Sequence, residues 1–269
     1  MEEQNMKIGF IGLGNMAKAM IGGMLEKQIV RPEEIIGTAK TETTREAVRS
    51  DYGIGIRDTN AAVAKEADIL VLAVKPQFFE EVIGEIRTEM PADTLVISIA
   101  AGKTMKWIEE TFGRRIKLVR CMPNTPALVG EGCTGVCVND KVSQQEKDDS
   151  LRLMESFGKA HLVPEHLMNA VGAVSGSSPA YVFMFIEAMA DAAVAAGLPR
   201  AQAYEFAAQA VYGSAKLMLD SGKHPAELKD MVCSPGGTTI QGVRVLEERG
   251  MRGAVIDALT AAVEQSNKL

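Results

Sequence analysis

The first part of the chain alternates hydrophobic and polar positions with two different periods. Lys7 to Ile11 follow the two-residue period of a strand, and a helical period then runs through Met20 and Met24. Residues 12–17, which read GLGNMA, separate the two patterns. This order predicts a strand, a glycine turn and a helix.

The alternation of predicted strands and helices continues as far as Pro164. Several of the strands are unbroken apolar runs, which are typical of parallel strands buried on both faces. The chain is therefore predicted to begin with an α/β domain. Its further strands are predicted at Glu33–Thr38, Ile54–Arg57, Asp68–Val74, Leu95–Ile99 and Ile116–Met122, with one or two more in Leu128–Pro164, and helices at Thr43–Tyr52, Asn60–Ala67 and Gln144–Phe157.

Beyond Pro164 the pattern predicts helices alone. Residues 179–196 are apolar on all sides except for Glu187 and Asp191, whose charges argue against a membrane span. Gly197 and Pro199 would end this helix. Further helices are expected near Arg200–Ser221, Ile240–Glu248 and Gly253–Ser266. We predict a first domain at residues 1–164 and a second, helical domain at residues 165–269.

Composition narrows the class of protein. A chain of 269 residues is long enough for two domains, and a hydrophobic content of 46% is ordinary for a soluble protein with a core. The net charge of −6 disfavours a nucleic-acid partner. The start, MEEQNMK, has no features of a signal peptide, so a cytoplasmic location is expected. The four cysteines, Cys121, Cys133, Cys137 and Cys233, lack the spacing of a zinc site and are predicted to be buried, reduced thiols.

The glycine turn has the form of a dinucleotide fingerprint in a Rossmann-like domain. Gly12 allows the tight turn, Gly14 lets the backbone approach a diphosphate, and Ala17 stands where helix and strand pack closely. The phosphates would lie on the free N–H groups of the first helical turn. The alternative is a tight strand-to-helix turn that needs glycine for packing alone.

The end of the second predicted strand bears on the choice of cofactor. Enzymes that use NAD place an acidic residue there, whereas this chain has Thr38, Ala39, Lys40 and Thr41. Small side chains and a lysine suit a 2′-phosphate, so NADP(H) is predicted to be preferred, with NAD(H) as an alternative. An ordinary solvated lysine is the competing interpretation.

Three consecutive predicted strands end in small or polar residues. These ends are Ala73–Pro76, Ala100–Gly102 and Pro123–Pro126. Ligands of open α/β sheets bind beyond the carboxyl ends of the strands. The three ends together favour a binding cleft over three unrelated turns.

Two further motifs combine glycines with hydroxyl groups, each before a predicted helix. They are Gly172–Tyr181, which reads GAVSGSSPAY, and Leu228–Thr239, which reads LKDMVCSPGGTT. A turn followed by a helix N-terminus offers free N–H donors to an anion. Simple helix capping by Ser234, Thr238 or Thr239 is the alternative for the second motif.

With these motifs in order, the whole chain resembles the pyrroline-5-carboxylate reductase family. The stretches that carry the resemblance are IGLGNMA, AVKPQ, SIAAG, RCMPNTP, SGSSPAY and LKDMVCSPGGTT. The family's reaction transfers hydride from NAD(P)H to the C=N bond of 1-pyrroline-5-carboxylate and gives L-proline, the last step of proline biosynthesis. The resemblance implies dimers with interlocked helical domains, in which each site combines one subunit's cofactor domain with the partner's loop, and larger rings of dimers.

The resemblance makes residues 1–164 the dinucleotide-binding domain and residues 165–269 the helical dimerisation and substrate-binding domain, and it also assigns site residues. Thr239 would lie beside the ring nitrogen as the catalytic residue. The substrate would be bound by Ser234, Gly236, Gly237, Thr238 and, from the first hydroxyl motif, Ser177. The cofactor would be bound by Ile11, Gly12, Leu13, Gly14, Asn15, Met16, Ala39, Lys40, Asn60, Ala73, Val74, Lys75, Pro76 and Ala100.

An absent residue separates this family from its rivals. No lysine lies between Lys159 and Lys216, so the lysine of β-hydroxyacid dehydrogenases has no counterpart. An imine that arrives protonated needs positioning and charge complementarity rather than an acid. Ser178 and Cys233 replace glycine and serine of some relatives, and both are small. Another imine or 2-hydroxyacid reductase and a noncatalytic NADP sensor remain as alternatives.

Overall fold

The computed structural model describes residues 6–268. Within that range eight strands form one sheet. The strands are β1 Ile8–Ile11, β2 Ile35–Thr38, β3 Gly55–Ile56, β4 Ile69–Leu72, β5 Leu95–Ser98, β6 Lys117–Met122, β7 Gly132–Val138 and β8 Gly158–Leu162.

Helices connect most of these strands and dominate the described chain after β8. The helices are α1 Asn15–Glu26, α2 Glu42–Tyr52, α3 Asn60–Glu66, α4 Phe79–Ile86, α5 Met105–Phe112, α6 Gln144–Met154, α7 Met168–Val171, α8 Ser178–Ala195, α9 Arg200–Ser221, α10 Pro225–Val232, α11 Thr238–Glu248 and α12 Met251–Ser266.

The sheet is doubly wound. Its strand order is β3-β2-β1-β4-β5-β6-β7-β8, and every neighbouring pair is parallel except β6 and β7. The chain leaves β1 towards β2 on one side and continues at β4 on the other, so the strand order reverses at β1. Such a reversal opens a crevice at the carboxyl ends of the strands, where ligands of this architecture bind. The predicted α/β fold with a helical C-terminal part is confirmed.

Side chains alternate across the sheet and fill two buried clusters. Phe10 and Phe157 belong to one cluster, and Phe79 and Phe112 belong to the other. Neighbouring strand residues point to opposite faces, so a continuous apolar run supplies both clusters at once. This arrangement confirms the interpretation of the apolar runs as strands buried on both faces.

The described chain divides into two compact units. The first contains residues 6–176 together with 263–268, and the second contains residues 177–262. The last strand ends at Leu162, and only helical elements follow it. The predicted domain boundary after Pro164 stays a prediction.

The second unit has a very small core. Its buried cluster consists of Ala190, Ala203 and Ala207. The helix Glu165–Ala195 has the length and apolar composition to cross a membrane, and 6% of its apolar window is buried. One copy of the chain therefore does not bury this apolar segment against its other helices. The prediction that it does not enter a membrane stays a prediction.

Several local elements differ from the sequence predictions, and helix α5 is one that was not predicted. The second strand begins at Ile35 because Pro32–Glu34 form a 3-10 turn, in which Glu34 accepts a hydrogen bond from the Arg31 N–H at 2.7 Å. Helix α10 was not predicted, although Pro225 at its first turn is a start signal. Residues Gly172–Ser177 form a π-helical turn that joins α7 to α8.

Candidate functional site

The turn after β1 is shaped by the lack of a side chain at Gly12. Its φ is +95°, and a Cβ atom there would lie 2.7 Å from the Ala73 carbonyl oxygen. The Gly12 N–H donates to the Thr38 carbonyl at 3.0 Å, and the Ala73 N–H donates to the Ile11 carbonyl at 2.9 Å. The glycine therefore lets the ends of β1, β2 and β4 meet closely.

The start of α1 provides an open cradle. Gly14 is the N-cap residue, and a Cβ atom added to it would meet nothing within 4 Å. Within the described chain no side chain caps this helix, and its first turn carries no acidic residue. The first N–H groups of a helix have no partner inside the helix, so they are available to an anion. These residues fit the diphosphate of a dinucleotide.

The end of β2 lies near the segment that follows β4. The Lys40 Nζ is 5.8 Å from the centre of the Phe78 ring, a cation–π arrangement that the sequence did not suggest. Arg45 donates to the Ala39 carbonyl at 3.3 Å and to the Asp58 carbonyl at 3.5 Å. The Arg45 guanidinium thus links the segments that follow β2 and β3. Lys40 itself is exposed, with room to turn towards a ligand.

The remaining cofactor candidates surround the same edge of the first unit. Ala73–Pro76 follow β4, Ala100 follows β5, and Asn60 begins α3 after β3. The Asn60 side chain donates to a carboxylate oxygen of Glu85 at 2.7 Å. The fold therefore brings the carboxyl ends of β1 to β5 together, as expected from their pattern. The contact of these residues with a cofactor stays a prediction.

The second hydroxyl motif forms a tight turn in the second unit. The Gly237 N–H donates to the Ser234 carbonyl at 3.0 Å, and Gly236 has a φ of +70°. Pro235 and Gly236 thus hold the two central positions, which is the pattern of a type II turn. A Cβ atom at Gly237 would collide with the Ser234 hydroxyl, so a larger residue there would force that side chain to turn away.

Helix α11 starts directly after this turn. Gly237 is its N-cap residue, and among the described residues no side chain makes the capping hydrogen bond. Helix capping by Ser234, Thr238 or Thr239 therefore does not explain the motif. The Ser234 hydroxyl lies in the turn, and the first N–H groups of α11 and the hydroxyls of Thr238 and Thr239 follow it in the first turn of the helix. The cofactor candidates belong to the first unit, and this loop belongs to the second.

The first hydroxyl motif differs from its prediction. It was expected to be a turn before a free helix N-terminus, whereas Gly172–Ser177 is a π-helical turn with helix on both sides. Pro179 explains the difference, because proline lacks the N–H that an α-helix needs and its ring displaces the carbonyl four residues earlier. Ser177 is partly buried at the end of this turn.

Sequence reasoning missed two polar groups beside these motifs. Asn124 is buried and joins β7 to the π-helical turn, with hydrogen bonds to the Cys133 N–H at 2.8 Å and the Ser175 carbonyl at 3.0 Å. Glu165 accepts from the buried Arg120 at 3.0 Å and from the Met105 N–H at 2.6 Å. Asn124 was noted only as a polar residue after a strand, and its distant partners left no sequence signal.

The cysteines are free and fall into two groups. Cys121 and Cys137 are buried, whereas Cys133 and Cys233 are partly exposed, so the prediction of burial is wrong for the latter pair. Burial raises the pKa of the Cys121 thiol and raises that of Cys137 to about 11. Neutral buried thiols of this kind pack as small apolar side chains.

The doubly wound sheet and its glycine cradle are those of a dinucleotide-binding protein, and a separate helical unit follows them. Comparisons with known proteins agree. Residues 7–102 match the family described as NADP oxidoreductase coenzyme F420-dependent, and residues 165–269 match that described as pyrroline-5-carboxylate reductase dimerisation.

Relatives along the whole chain define the family more narrowly. Pyrroline-5-carboxylate reductase of Escherichia coli is 51% identical, with 98% of each chain covered. Two solved structures, each with 98% of both chains covered, are similar: a pyrroline-5-carboxylate reductase from Coxiella burnetii (TM-score 0.91, 35% identity) and a pyrroline carboxylate reductase from Plasmodium falciparum with NADP bound (TM-score 0.88, 34% identity). The chain belongs to the pyrroline-5-carboxylate reductase family.

Proposed function

We propose that this chain reduces 1-pyrroline-5-carboxylate to L-proline with NADPH as the hydride donor. The observation that carries the proposal is the 51% identity to a pyrroline-5-carboxylate reductase along 98% of the chain. The two hydroxyl and glycine motifs fall within this aligned length, so the similarity extends beyond the nucleotide-binding unit.

The cofactor would be held by the first unit. The N–H groups of Asn15 and Met16 at the start of α1 would bind the diphosphate, with Ile11, Leu13 and Gly14 forming the turn below it. Ala73 to Pro76 and Ala100, at the ends of β4 and β5, leave room for a flat ring. When bound, NADPH supplies the hydride that reduces the C=N bond.

The substrate would be held by the loop before α11. Its carboxylate suits the first N–H groups of that helix and the hydroxyls of Ser234 and Thr238, because both types of donor stabilise an anion. Gly236 and Gly237 keep the loop tight enough for the backbone to face the ligand, and Ser177 adds a further hydroxyl.

Thr239 is proposed to hydrogen-bond the ring nitrogen of a substrate that enters partly as the iminium ion. A protonated C=N bond accepts hydride without a separate acid, so one well-placed hydroxyl is sufficient. Thr239→Val should lower turnover at saturating substrate about tenfold or more, whereas Thr239→Ser, which keeps the hydroxyl, should restore most of it. Full turnover by the valine variant would disprove this role.

Lys40 is proposed to favour NADPH by pairing with its 2′-phosphate. Lys40→Asp should lower the ratio of kcat/KM for NADPH to kcat/KM for NADH by about tenfold or more, since it places a like charge beside the phosphate. Lys65→Asp is the matched control, because this exposed lysine lies in the last turn of α3, towards the opposite edge of the sheet. An unchanged ratio in the Lys40 variant would exclude this role.

The active form is proposed to be a homodimer built through the helical unit, in the cytoplasm and without nucleic-acid or membrane partners. The match of residues 165–269 to a dimerisation family and the exposed apolar side chains of α8 support the assembly. Sedimentation at micromolar concentration tests it. A stable monomer would refute it.

Two other functions make different predictions. Loss of NADPH absorbance with 1-pyrroline-5-carboxylate, repeated with the six-membered cyclic imine and with a 2-oxoacid, separates them. Fast oxidation with the five-membered imine supports the proposal, and preference for another substrate would assign a different reductase. NADPH binding without oxidation of any of them would identify a sensor.

A further inference from the structure

Pro179 creates a structural requirement at the start of α8. In an α-helix the Ser175 carbonyl would accept from the N–H of residue 179, and proline has none. The chain widens instead into the π-helical turn Gly172–Ser177. Turns of this type occur mainly as single insertions and are frequent at functional sites.

Asn124 supplies the donor that Pro179 cannot. Its Nδ2 donates to the Ser175 carbonyl at 3.0 Å, and its Oδ1 accepts from the Cys133 N–H at 2.8 Å. Both halves of the amide are used, and the residue is 8% exposed. The side chain therefore connects the end of β6, the start of β7 and the π-helical turn.

The neighbouring contacts seat the same helical segment on the sheet. A Cβ atom at Gly172 would lie 2.6 Å from the Met122 methyl, and one at Gly135 would lie 2.8 Å from Val171. Met122 and Gly135 are opposite each other in the β6–β7 ladder. The sheet thus contacts the helical segment at Val171, Gly172 and Ser175. The contact that Asn124 makes, at Ser175, is the nearest of the three to Ser177 along the chain.

The position of this junction relates it to the reaction. Asn124 follows β6 at the carboxyl edge of the parallel strands, where the cofactor candidates lie. Each helical residue advances the side-chain direction by about 100°, so the extra residue of a π-turn decides which way the following residues point. Ser177 ends the turn and belongs to the proposed substrate contacts.

We infer that Asn124 is a positioning residue for imine reduction: it replaces the missing N–H of Pro179 and so fixes the π-helical turn that orients Ser177. This inference rests on the proposed function. It assigns no contact between Asn124 and the substrate.

The first test removes only the donor half of the amide. Asn124→Asp keeps an oxygen for the Cys133 N–H and loses the donor to Ser175. We expect kcat/KM for 1-pyrroline-5-carboxylate to fall about tenfold or more, while the Kd of NADPH stays within about twofold of the parent value. A kcat/KM within twofold of the parent, or an equal loss of NADPH binding, would overturn the inference.

Asn139→Asp is the matched control. Asn139 also joins strands through both halves of its amide, since it donates to the Ile116 carbonyl at 2.8 Å and accepts from the Leu118 N–H at 3.3 Å. It lies at the amino end of β6, the opposite edge from Asn124. The control should change Tm without lowering kcat/KM, and an equal loss of kcat/KM in both variants would count against a specific role for Asn124.

A double-variant cycle separates positioning from stability. Asn124→Ala leaves the Ser175 carbonyl without its amide donor, and adding Pro179→Ala supplies a backbone N–H that can bond it in α-helical form. We expect the double variant to recover Tm relative to Asn124→Ala but not kcat/KM, because the turn is no longer of the π type. Recovery of both Tm and kcat/KM in the double variant would show that Asn124 contributes only to stability.

The parent chain is assayed in the same experiment. If the parent does not oxidise NADPH with the imine, the proposed function fails and this inference fails with it. If the parent is active and the Asn124 variants are equally active, only the inference is overturned.

Discussion

The two compact units use hydrophobic side chains in opposite ways. The first buries large residues such as Phe10, Phe79 and Phe157 on both faces of its sheet. The second buries three alanines and leaves large side chains of α8 and α9, such as Phe183 and Phe206, more than half exposed. Burying one such side chain contributes about 1.5–3 kcal/mol, so the two units differ greatly in what one copy of the chain can stabilise.

This difference assigns separate tasks to the units. The first has a core of large apolar side chains on both faces of its sheet, and its glycine turn is held by backbone hydrogen bonds. The second exposes several large apolar side chains along α8 and α9, which is typical of a surface that another subunit covers. The following predictions test this division, from the largest expected effect to the smallest.

Phe183→Glu should have the largest effect. Phe183 is 64% exposed in one copy, and a charge in its place would have to be buried without a partner when a second subunit covers α8. We expect dimer affinity to fall at least about 100-fold, or about 3 kcal/mol, with loss of activity. Analytical ultracentrifugation measures the shift to monomer.

Val129→Glu is the control for that change. Val129 lies in the first unit and is 77% exposed, so the same type of substitution meets water there. It should leave the dimer intact. Equal dissociation in both variants, or none in either, would contradict the assigned difference between the units.

Two glycines of the first unit should separate stability from cofactor binding. Gly12→Ala forces a φ of +95° on alanine and drives its Cβ into the Ala73 carbonyl, which should cost about 2 kcal/mol of unfolding free energy. Gly14→Ala meets open space at a φ of −77°, so its stability should be unchanged. Its methyl group would nevertheless fill the proposed diphosphate cradle and weaken NADPH binding about tenfold or more.

Urea unfolding and NADPH titration measure these two effects. The expected pattern is a stability loss for Gly12→Ala and an affinity loss without a stability loss for Gly14→Ala. Unchanged NADPH affinity in the Gly14 variant would show that the diphosphate does not bind at this turn.

The first unit should also lose a small part of its stability in acid. Arg57 donates to Glu66 through two nitrogens at 2.6 Å each, and this holds the pKa of Glu66 at about 2. A lowered pKa in the folded state stabilises the protein above the unfolded pKa of about 4.5, and the benefit disappears as the pH falls towards 2. Because the pair is about a third exposed, solvent screening limits its contribution to about 1 kcal/mol.

Glu66→Gln tests this pair. The variant should be about 1 kcal/mol less stable than the parent at pH 6 and equal to it near pH 2, as measured by urea unfolding. Glu81→Gln, at an exposed position on α4, should show no such convergence. A stability difference that is independent of pH would exclude the proposed linkage.

A separate prediction, which changes no residue, concerns thiol reactivity. Cys121 and Cys137 are buried in the first unit, and the raised pKa of Cys137, about 11, leaves only about one thiolate in a thousand at pH 8. Cys233 is partly exposed in the second unit. A thiol reagent should therefore modify Cys233 at least about 100-fold faster than Cys121 or Cys137, as resolved by peptide mass spectrometry. Equal modification rates for the three cysteines would show that the core of the first unit opens as readily to the reagent as the surface of the second.

Most of the fold could be predicted from the sequence because local pattern and position agree. The apolar run Ile69–Leu72 is flanked by helices, and α9 ends at a glycine with positive φ, Gly222. The second strand was predicted too early because Glu33 and Glu34 were counted as strand although Pro32 begins a 3-10 turn. The first residue of a short strand cannot be identified from its pattern when polar residues directly precede it.

The parts that could not be predicted depend on distant residues. Pro179 is visible in the sequence, but the residue that bonds the free Ser175 carbonyl is Asn124, which lies 51 residues before Ser175 in the chain. Likewise, the apolar pattern of α8 indicates burial without saying whether the covering surface belongs to the same chain. The assignment of Ser234 to Thr239 to substrate came from family resemblance, since geometry alone describes a loop rich in donors.

The most direct measurement is the product balance with the unmodified chain, NADPH and 1-pyrroline-5-carboxylate. The proposed reaction predicts one L-proline formed for each NADPH oxidised, with chirality established by chromatography. Bound NADPH without formation of proline, or oxidation without it, would contradict the proposed reaction.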